Sequence, residues 1–118
     1  MADIKTIGVV GAGTMGNGIA QLASQMGADV IMRDIKDEFV ERGLANIDRF
    51  LSKGVEKGKM TEDDKKAVLG RVKGTTDMGE MAKVDFVIEA VIEDLDLKKS
   101  VYGELDEVCK PDTILATN

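Results

Sequence analysis

Gly11, Gly13 and Gly16 stand at the spacing G-x-G-x-x-G within the run "GVVGAGTMGNGIA", residues 8–20. At that spacing the first glycine can make a tight turn, the second can let the backbone approach a pyrophosphate, and the third can let a helix lie close on the preceding strand. Three glycines alone could equally mark a sharp turn between a strand and a helix, so the flanks decide. An apolar run precedes them, helical spacing follows, and Asp34 ends the next apolar run 18 residues after Gly16. A carboxylate there would accept hydrogen bonds from the hydroxyls of an adenosine ribose and repel a 2′-phosphate. Two unit charges about 4 Å apart near a surface interact by about 4 kcal/mol, which favours NAD over NADP. Arg33 is a neighbour that could accommodate such a phosphate, but alternation along a strand points it away from Asp34. The expected phosphate cradle is therefore Gly11, Ala12, Gly13, Thr14, Met15 and Gly16. Free N–H groups and the dipole at the helix start would hold the phosphate charge without a lysine. The plainer reading of Asp34 is a solvated acid at a strand end.

The elements that must position these groups can be read in order. Ile4 to Val10 reads as a short buried strand. A helix follows from Thr14, with Met15, Ile19, Leu22, Ala23 and Met26 at helical spacing and Gly27 as its C-cap. Ala28 to Asp34 is the next strand, which completes a βαβ unit of about 30 residues. Asp37 to about Lys57 forms a long amphipathic helix with Phe39, Val40, Gly43, Ile47, Phe50 and Leu51 on one face, broken at Gly58. "TEDD", residues 61–64, opens a second helix with Thr61 as N-cap, running to about Val72. Lys73 to Thr76 forms a short strand, Met78 to Lys83 a helical turn, and "DFVIEAV" at 85–91 a buried strand. Leu95 to Cys109 is a helix burying Leu97, Val101, Leu105 and Val108; Pro111 bars its continuation, and "TILAT" at 113–117 is the last strand. The class is α/β: a Rossmann-type, doubly wound parallel sheet of about five strands, with a helical pair inserted after the second. No repeat, low-complexity tract or linker divides residues 1–118, which read as one domain.

Composition narrows the function. The chain has 118 residues, and 22 acidic against 16 basic residues give a net charge of −6. That balance argues against general affinity for nucleic acid, which rests on neutralising phosphates. No apolar run approaches the roughly 20 residues of a membrane span. Met1 to Asp3 precede the first strand directly, leaving no room for a leader peptide, and the one cysteine, Cys109, suits a reducing cytoplasm. Cys109 reads as a packing residue, and no Cys/His cluster suggests a metal site. The chain also contains no histidine, so the commonest proton-transfer group near neutral pH is missing.

Beyond the glycines, the stretches "RDIKDEFVERGL" and "VIEAVIEDLDLKKSVYGELDEVCKPDTILATN" and the helical pair between them resemble the N-terminal part of the 3-hydroxyacyl-CoA dehydrogenases. The likeness is greatest to bacterial 3-hydroxybutyryl-CoA dehydrogenases of butyrate metabolism. The pattern E-A-x-x-E-x-x-x-x-K with the final "TILATN" is more specific than the glycines. The resemblance implies NAD as cofactor, with Glu93 and Lys98 near its nicotinamide half; Glu89, inside the strand, is read as structural. An exposed helix-start acid and a solvated lysine are the alternatives for Glu93 and Lys98. Arg49, Lys53 and Lys57 lie at i, i+4 and i+8 on one helix face, with Lys59 just beyond. The family places this region against coenzyme A, which makes Lys53 and Lys57 candidates for its phosphates; a solvated face is the alternative.

Family members carry Ser where Thr117 stands and continue with a catalytic His, its partner Glu, and a helical domain for substrate and dimerisation. The resemblance thus implies a cytoplasmic homo-oligomer of fatty-acid metabolism that interconverts 3-hydroxyacyl-CoA and 3-oxoacyl-CoA by hydride transfer. Residues 1–118 alone are expected to bind NAD without turnover, with no catalytic residue of their own. The competing readings are a non-catalytic NAD-sensing module and a nucleotide-free structural domain.

Overall fold

Val9 and Val10, Val30 and Ile31, and Val87 with the half-buried Ile88 place apolar side chains on both sides of their strands. Such strands need cover on both faces, which a parallel sheet with crossover helices supplies. The computed structural model describes residues 5–90 and 95–117. Its elements are β1 (Thr6–Val10), α1 (Thr14–Gln25), β2 (Asp29–Arg33), α2 (Asp37–Glu56), α3 (Glu62–Gly70), β3 (Val72–Thr75), a 3₁₀ turn (Met78–Lys83), β4 (Phe86–Glu89), α4 (Leu95–Val108) and β5 (Ile114–Thr117). The five strands form one sheet in the order β3-β2-β1-β4-β5, and every pair is parallel. Among the described residues no helix is long and apolar enough to cross a membrane.

Alternation along β1 sends Val9 and Val10 into two separate cores. Val9 joins Val30 and Met32 of β2 beneath Ala20 and Ala23 of α1, Ile47 and Leu51 of α2 and Val68 of α3. Val10 joins Ile31, Val87, Met78, Met81, Val84 and, from α4, Val101 and Leu105. α3 begins with a capping box. The Asp64 N–H donates to Thr61 Oγ1, and the Thr61 N–H donates to the Asp64 carboxylate, both at 3.1 Å.

Asp85 closes the amino-terminal edge of the sheet. Its Oδ2 accepts from the Lys5 and Thr6 N–H groups at 3.0 and 3.1 Å, and its Oδ1 accepts from Lys110 Nζ at 2.8 Å. The Lys110 ammonium, then these backbone donors, hold the Asp85 carboxyl down at about 2. One side chain thereby ties the starts of β1 and β4 to the connection before β5.

Element order follows the sequence reading throughout, with ends shifted by a few residues. α3 stops at Gly70 instead of Val72 because Val72 enters β3 beside Val30. Ile4, Val91, Glu93 and the side chain of Leu97 lie outside the described residues.

Two expected faces are corrected. Met15, Leu22 and Met26 of the α1 region are 56%, 60% and 81% exposed, while Gly16, Asn17, Ala20, Gln21, Ala23 and Ser24 are buried. α1 lies so close to the end of β1 that only small side chains fit beneath it. Its large apolar side chains are thereby turned to the flank. Phe50 is likewise 63% exposed. The core stripe of α2 runs through Val40, Gly43, Ile47 and Leu51, and Phe50 falls beside it, over the seam with α1.

Candidate functional site

The strand order reverses at β1. The chain leaves it toward β2 and β3 on one side and returns to β4 and β5 on the other. The carboxyl ends of β1 and β4 therefore border a crevice at the topological switch point, where open α/β sheets take ligands. The glycine run lies at its mouth. Gly11 has φ +113°, a conformation that side chains with a Cβ rarely adopt, and its N–H donates to the Arg33 carbonyl at 2.7 Å. A Cβ on Gly16 would stand 1.7 Å from the Gly11 carbonyl oxygen, so only glycine lets α1 start this close to the loop. Gly13 is the opposite case: a Cβ there would meet nothing within 4 Å. Its face is open to the crevice, as a backbone approached by a pyrophosphate requires.

Two residues that sequence reasoning did not single out for the loop also fix its shape. The buried Asn17 amide donates to the carbonyls of Gly13 at 2.8 Å and Ala12 at 3.3 Å. On the other side α2 presses Gly43 against Ala12, where a Cβ would lie 2.7 Å from the Ala12 carbonyl oxygen. An amide one residue after the motif was a usable signal for Asn17. Gly43 gave none, because its contact depends on how α2 packs.

The electrostatics favour an anion. No side chain caps the start of α1, and no acidic residue occupies its first turn. The N-terminal N–H groups and the helix dipole thus face the crevice without a competing carboxylate from the helix itself. Asp34 sits across the loop, its Oδ2 accepting from the Ala12 N–H at 2.9 Å and its Oδ1 from the Ile35 N–H at 2.7 Å. Each carboxylate oxygen has two lone-pair sites, so capacity remains for a pair of ribose hydroxyls. Arg33 is turned away, its Nε donating to the Thr76 carbonyl at 3.1 Å, as strand alternation led us to expect. Ile35, beside Asp34 and 60% exposed, offers an apolar surface to a planar base. These features fit an adenine dinucleotide: open backbone for the diphosphate, a carboxylate for the ribose, and no cation free for a 2′-phosphate at Arg33.

On the β4 side, Lys98 near the start of α4 places its Nζ 3.6 Å from Glu89 Oε1. Glu89 is fully buried at the end of β4, paired in register with Val10. The sequence reading of Glu93 lies outside the described residues. Ala12, Thr14 and Met15 belong to the loop and the first turn of α1. Lys53 and Arg49 border a groove of about 670 Å³ between α1 and α2, whose other walls include Thr14, Asn17, Leu22 and Phe50. Lys57 caps the far end of α2 and does not line that groove. Cys109 packs at the edge of the second core, and burial pushes its thiol up. It is a packing residue, not an activated nucleophile.

Comparison with known proteins agrees with this geometry. Residues 6–118 match the model of the family described as 3-hydroxyacyl-CoA dehydrogenase, NAD binding domain. A probable 3-hydroxybutyryl-CoA dehydrogenase of Deinococcus radiodurans is 47% identical over 94% of this chain and 40% of its own length. The 3-hydroxybutyryl-CoA dehydrogenase of Clostridioides difficile is 42% identical over 95% of this chain and 40% of its own length. The crystal structure of (S)-3-hydroxybutyryl-CoA dehydrogenase from Ralstonia eutropha superposes with a TM-score of 0.96 at 42% identity, covering 98% of this chain and 41% of that one. The chain thus spans about 40% of the length of these relatives. With the motif, the crevice and these matches in agreement, the chain belongs to the NAD-binding domain family of the 3-hydroxyacyl-CoA dehydrogenases.

Proposed function

We propose that residues 1–118 are the cofactor-binding part of an NAD-dependent dehydrogenase that interconverts short-chain 3-hydroxyacyl-CoA and 3-oxoacyl-CoA. One observation carries this reading: Gly13 lies open at the uncapped start of α1, and the Asp34 carboxylate is held 2.9 Å from the next-door Ala12 N–H. Loop N–H groups bind the diphosphate, Asp34 holds the adenosine ribose, and Lys98 with Glu93 borders the nicotinamide half. NAD, when bound, supplies hydride exchange at its nicotinamide ring.

The chain's own residues orient the dinucleotide but hold no proton donor suited to the substrate oxygen. There is no histidine among the 118 residues, and the Glu89 carboxylate is buried against Lys98. Positioned acid–base catalysis contributes roughly 10²- to 10⁴-fold in rate, so this part alone binds without turnover. Lys53 and Lys57 remain the candidates for coenzyme A phosphates. Lys53 is supported by its place on the α1–α2 groove beside Arg49, and Lys57 by its exposure one turn further on.

Titration of the purified 118-residue chain with NADH, followed by nicotinamide fluorescence, should show saturable binding. Incubation with NADH and acetoacetyl-CoA should leave the nicotinamide absorbance unchanged. Absence of NADH binding would refute the assignment, and robust turnover would refute the placing of proton transfer outside these residues.

A further inference from the structure

Counting the backbone donors of the glycine loop shows which of them are left for a ligand. The Gly11 N–H donates to the Arg33 carbonyl at 2.7 Å, the Ala12 N–H to Asp34 Oδ2 at 2.9 Å, and the Asn17 N–H to the Gly13 carbonyl at 2.8 Å. Among the described residues, the N–H groups of Gly13, Thr14, Met15 and Gly16 meet no acceptor, and no side chain caps α1. Such groups hold an anion only if they converge on it, and outside a strand or helix no ladder sets their direction. The first two of them, on Gly13 and Thr14, share their peptide groups with the carbonyls of Ala12 and Gly13.

Asn17 holds both of those carbonyls. It is 8% exposed, and its Nδ2 donates to the Gly13 carbonyl at 2.8 Å and to the Ala12 carbonyl at 3.3 Å. Both partners are acceptors only, so the amino half of the amide must face them. A trans peptide is planar, with its C=O and N–H pointing in opposite directions, and the described residues contain no cis bond. Drawing the Ala12 carbonyl toward Asn17 therefore turns the Gly13 N–H the other way. Drawing the Gly13 carbonyl along α1 turns the Thr14 N–H out of the helix start. The Ala12 carbonyl is also closed in from α2, since a Cβ on Gly43 would stand 2.7 Å from it. The start of α1 does not need this side chain, because the backbone N–H of Asn17 already makes the first helical bond to Gly13. The reach to Ala12, five residues back, lies outside any helical ladder.

We propose that Asn17 is a positioning residue for the diphosphate. Its amide holds back two carbonyls so that the Gly13 and Thr14 N–H groups face the crevice. The inference rests on the dinucleotide reading of the crevice given above. Without the amide, the Ala12–Gly13 peptide is free to turn, and a turn that brings its carbonyl forward presents the negative end of a dipole to the phosphates. The adenosine end does not depend on these two peptides. Asp34 is fixed by the N–H groups of Ala12 and Ile35, which belong to other peptide groups.

The test measures the dissociation constants of NADH, ADP and adenosine by ¹H–¹⁵N NMR titration of the 118-residue chain, in wild type, Asn17→Leu and Asn17→Ser, with thermal unfolding alongside. Leucine keeps the branched shape without a donor. Serine reaches the carbonyl four residues back, on Gly13, but not that of Ala12. In Asn17→Leu the Kd for NADH and for ADP should rise roughly tenfold, the weight of one misdirected hydrogen bond to a charged oxygen. The Kd for adenosine, which carries no phosphate, should stay within about twofold. In Asn17→Ser the two diphosphate ligands should weaken by roughly threefold, again with adenosine unchanged. Should Asn17→Leu fail to fold, the serine variant decides alone. A merely structural Asn17 would lower Tm and weaken all three ligands alike. That outcome, or an unchanged Kd for NADH and ADP in whichever variant folds, overturns the inference while the dinucleotide assignment stands. Failure of the wild-type chain to bind NADH overturns both.

Discussion

Replacing Asp34 by alanine separates what the carboxylate does for the ligand from what it does for the loop. In the wild type a 2′-phosphate on a ribose held by Asp34 would lie about 4 Å from the carboxylate, a repulsion of about 4 kcal/mol per charge pair near a surface. Asp34 is half-exposed, and salt and water reduce such terms. Taking about half of that value leaves 2 kcal/mol, or roughly a 30-fold preference for NADH over NADPH. In Asp34→Ala the preference should collapse to within about threefold. NADH itself should bind roughly ten- to hundredfold more weakly, because hydrogen bonds from the ribose hydroxyls to a charged acceptor contribute about 1.5–3 kcal/mol. The Ala12 N–H, which now donates to Asp34 at 2.9 Å, would lose its acceptor, so a modest fall in Tm should accompany the change. Fluorescence titration with both reduced cofactors at low and high ionic strength is the assay. The wild-type ratio should shrink as salt rises, because its source is coulombic. Equal affinities in the wild type, or a ratio that survives the substitution, would refute the reasoning and give the ribose site to Arg33 or Lys36.

The two glycines of the loop should respond differently to one added methyl group. In Gly16→Ala the Cβ must retreat from 1.7 Å to at least 3.0 Å from the Gly11 oxygen, so α1 shifts; a loss of about 1–3 kcal/mol in urea denaturation and loss of NADH binding are expected together. Gly13→Ala has open space and φ −66°, so it should fold with near wild-type stability and still lose NADH, as equilibrium titration beside a melt would show. Asp85→Asn addresses pH. The folded carboxyl is held at about 2 against an ordinary value of 3.8, so its stabilisation is present above about pH 4 and is lost as pH falls through 2. Urea midpoints should place the variant below wild type at pH 6, with the gap closing between pH 4 and 2. A constant gap would mean that shape, not charge, is the cause. For coenzyme A, Lys53→Glu with Lys57→Glu in a full-length protein should raise the Kd for acyl-CoA severalfold and leave NADH affinity unchanged. An unchanged acyl-CoA affinity would return both lysines to solvent.

Where the chemistry is written into the backbone, the sequence was legible. The G-x-G-x-x-G run specifies a positive φ at Gly11, an open Gly13 and a close approach at Gly16, and each is found as the spacing demands. The place of Asp34 beside the loop was legible because it directly follows the last residue of β2, where its carboxylate reaches the Ala12 N–H. The face of α1 was misread for a reason contained in the same motif. Periodicity is dominated by the largest apolar residues, here Met15, Leu22 and Met26, yet a helix seated on the Gly11 carbonyl has room beneath it only for Gly16, Ala20 and Ala23. Small residues at four- and three-residue intervals were the better guide to the buried side.

The remaining misses depend on topology. Asp85 meets Lys5 across 80 residues of sequence, and Gly43 meets Ala12 only because α2 packs back over the loop. Glu89, read from the sequence as structural, shows the same dependence on topology. Within β4 it looks like a polar interruption of a buried strand, which local physics disfavours. Only once β4 is set beside β1, and α4 is laid over that face, does the interruption acquire a partner in Lys98 and a position at the crevice.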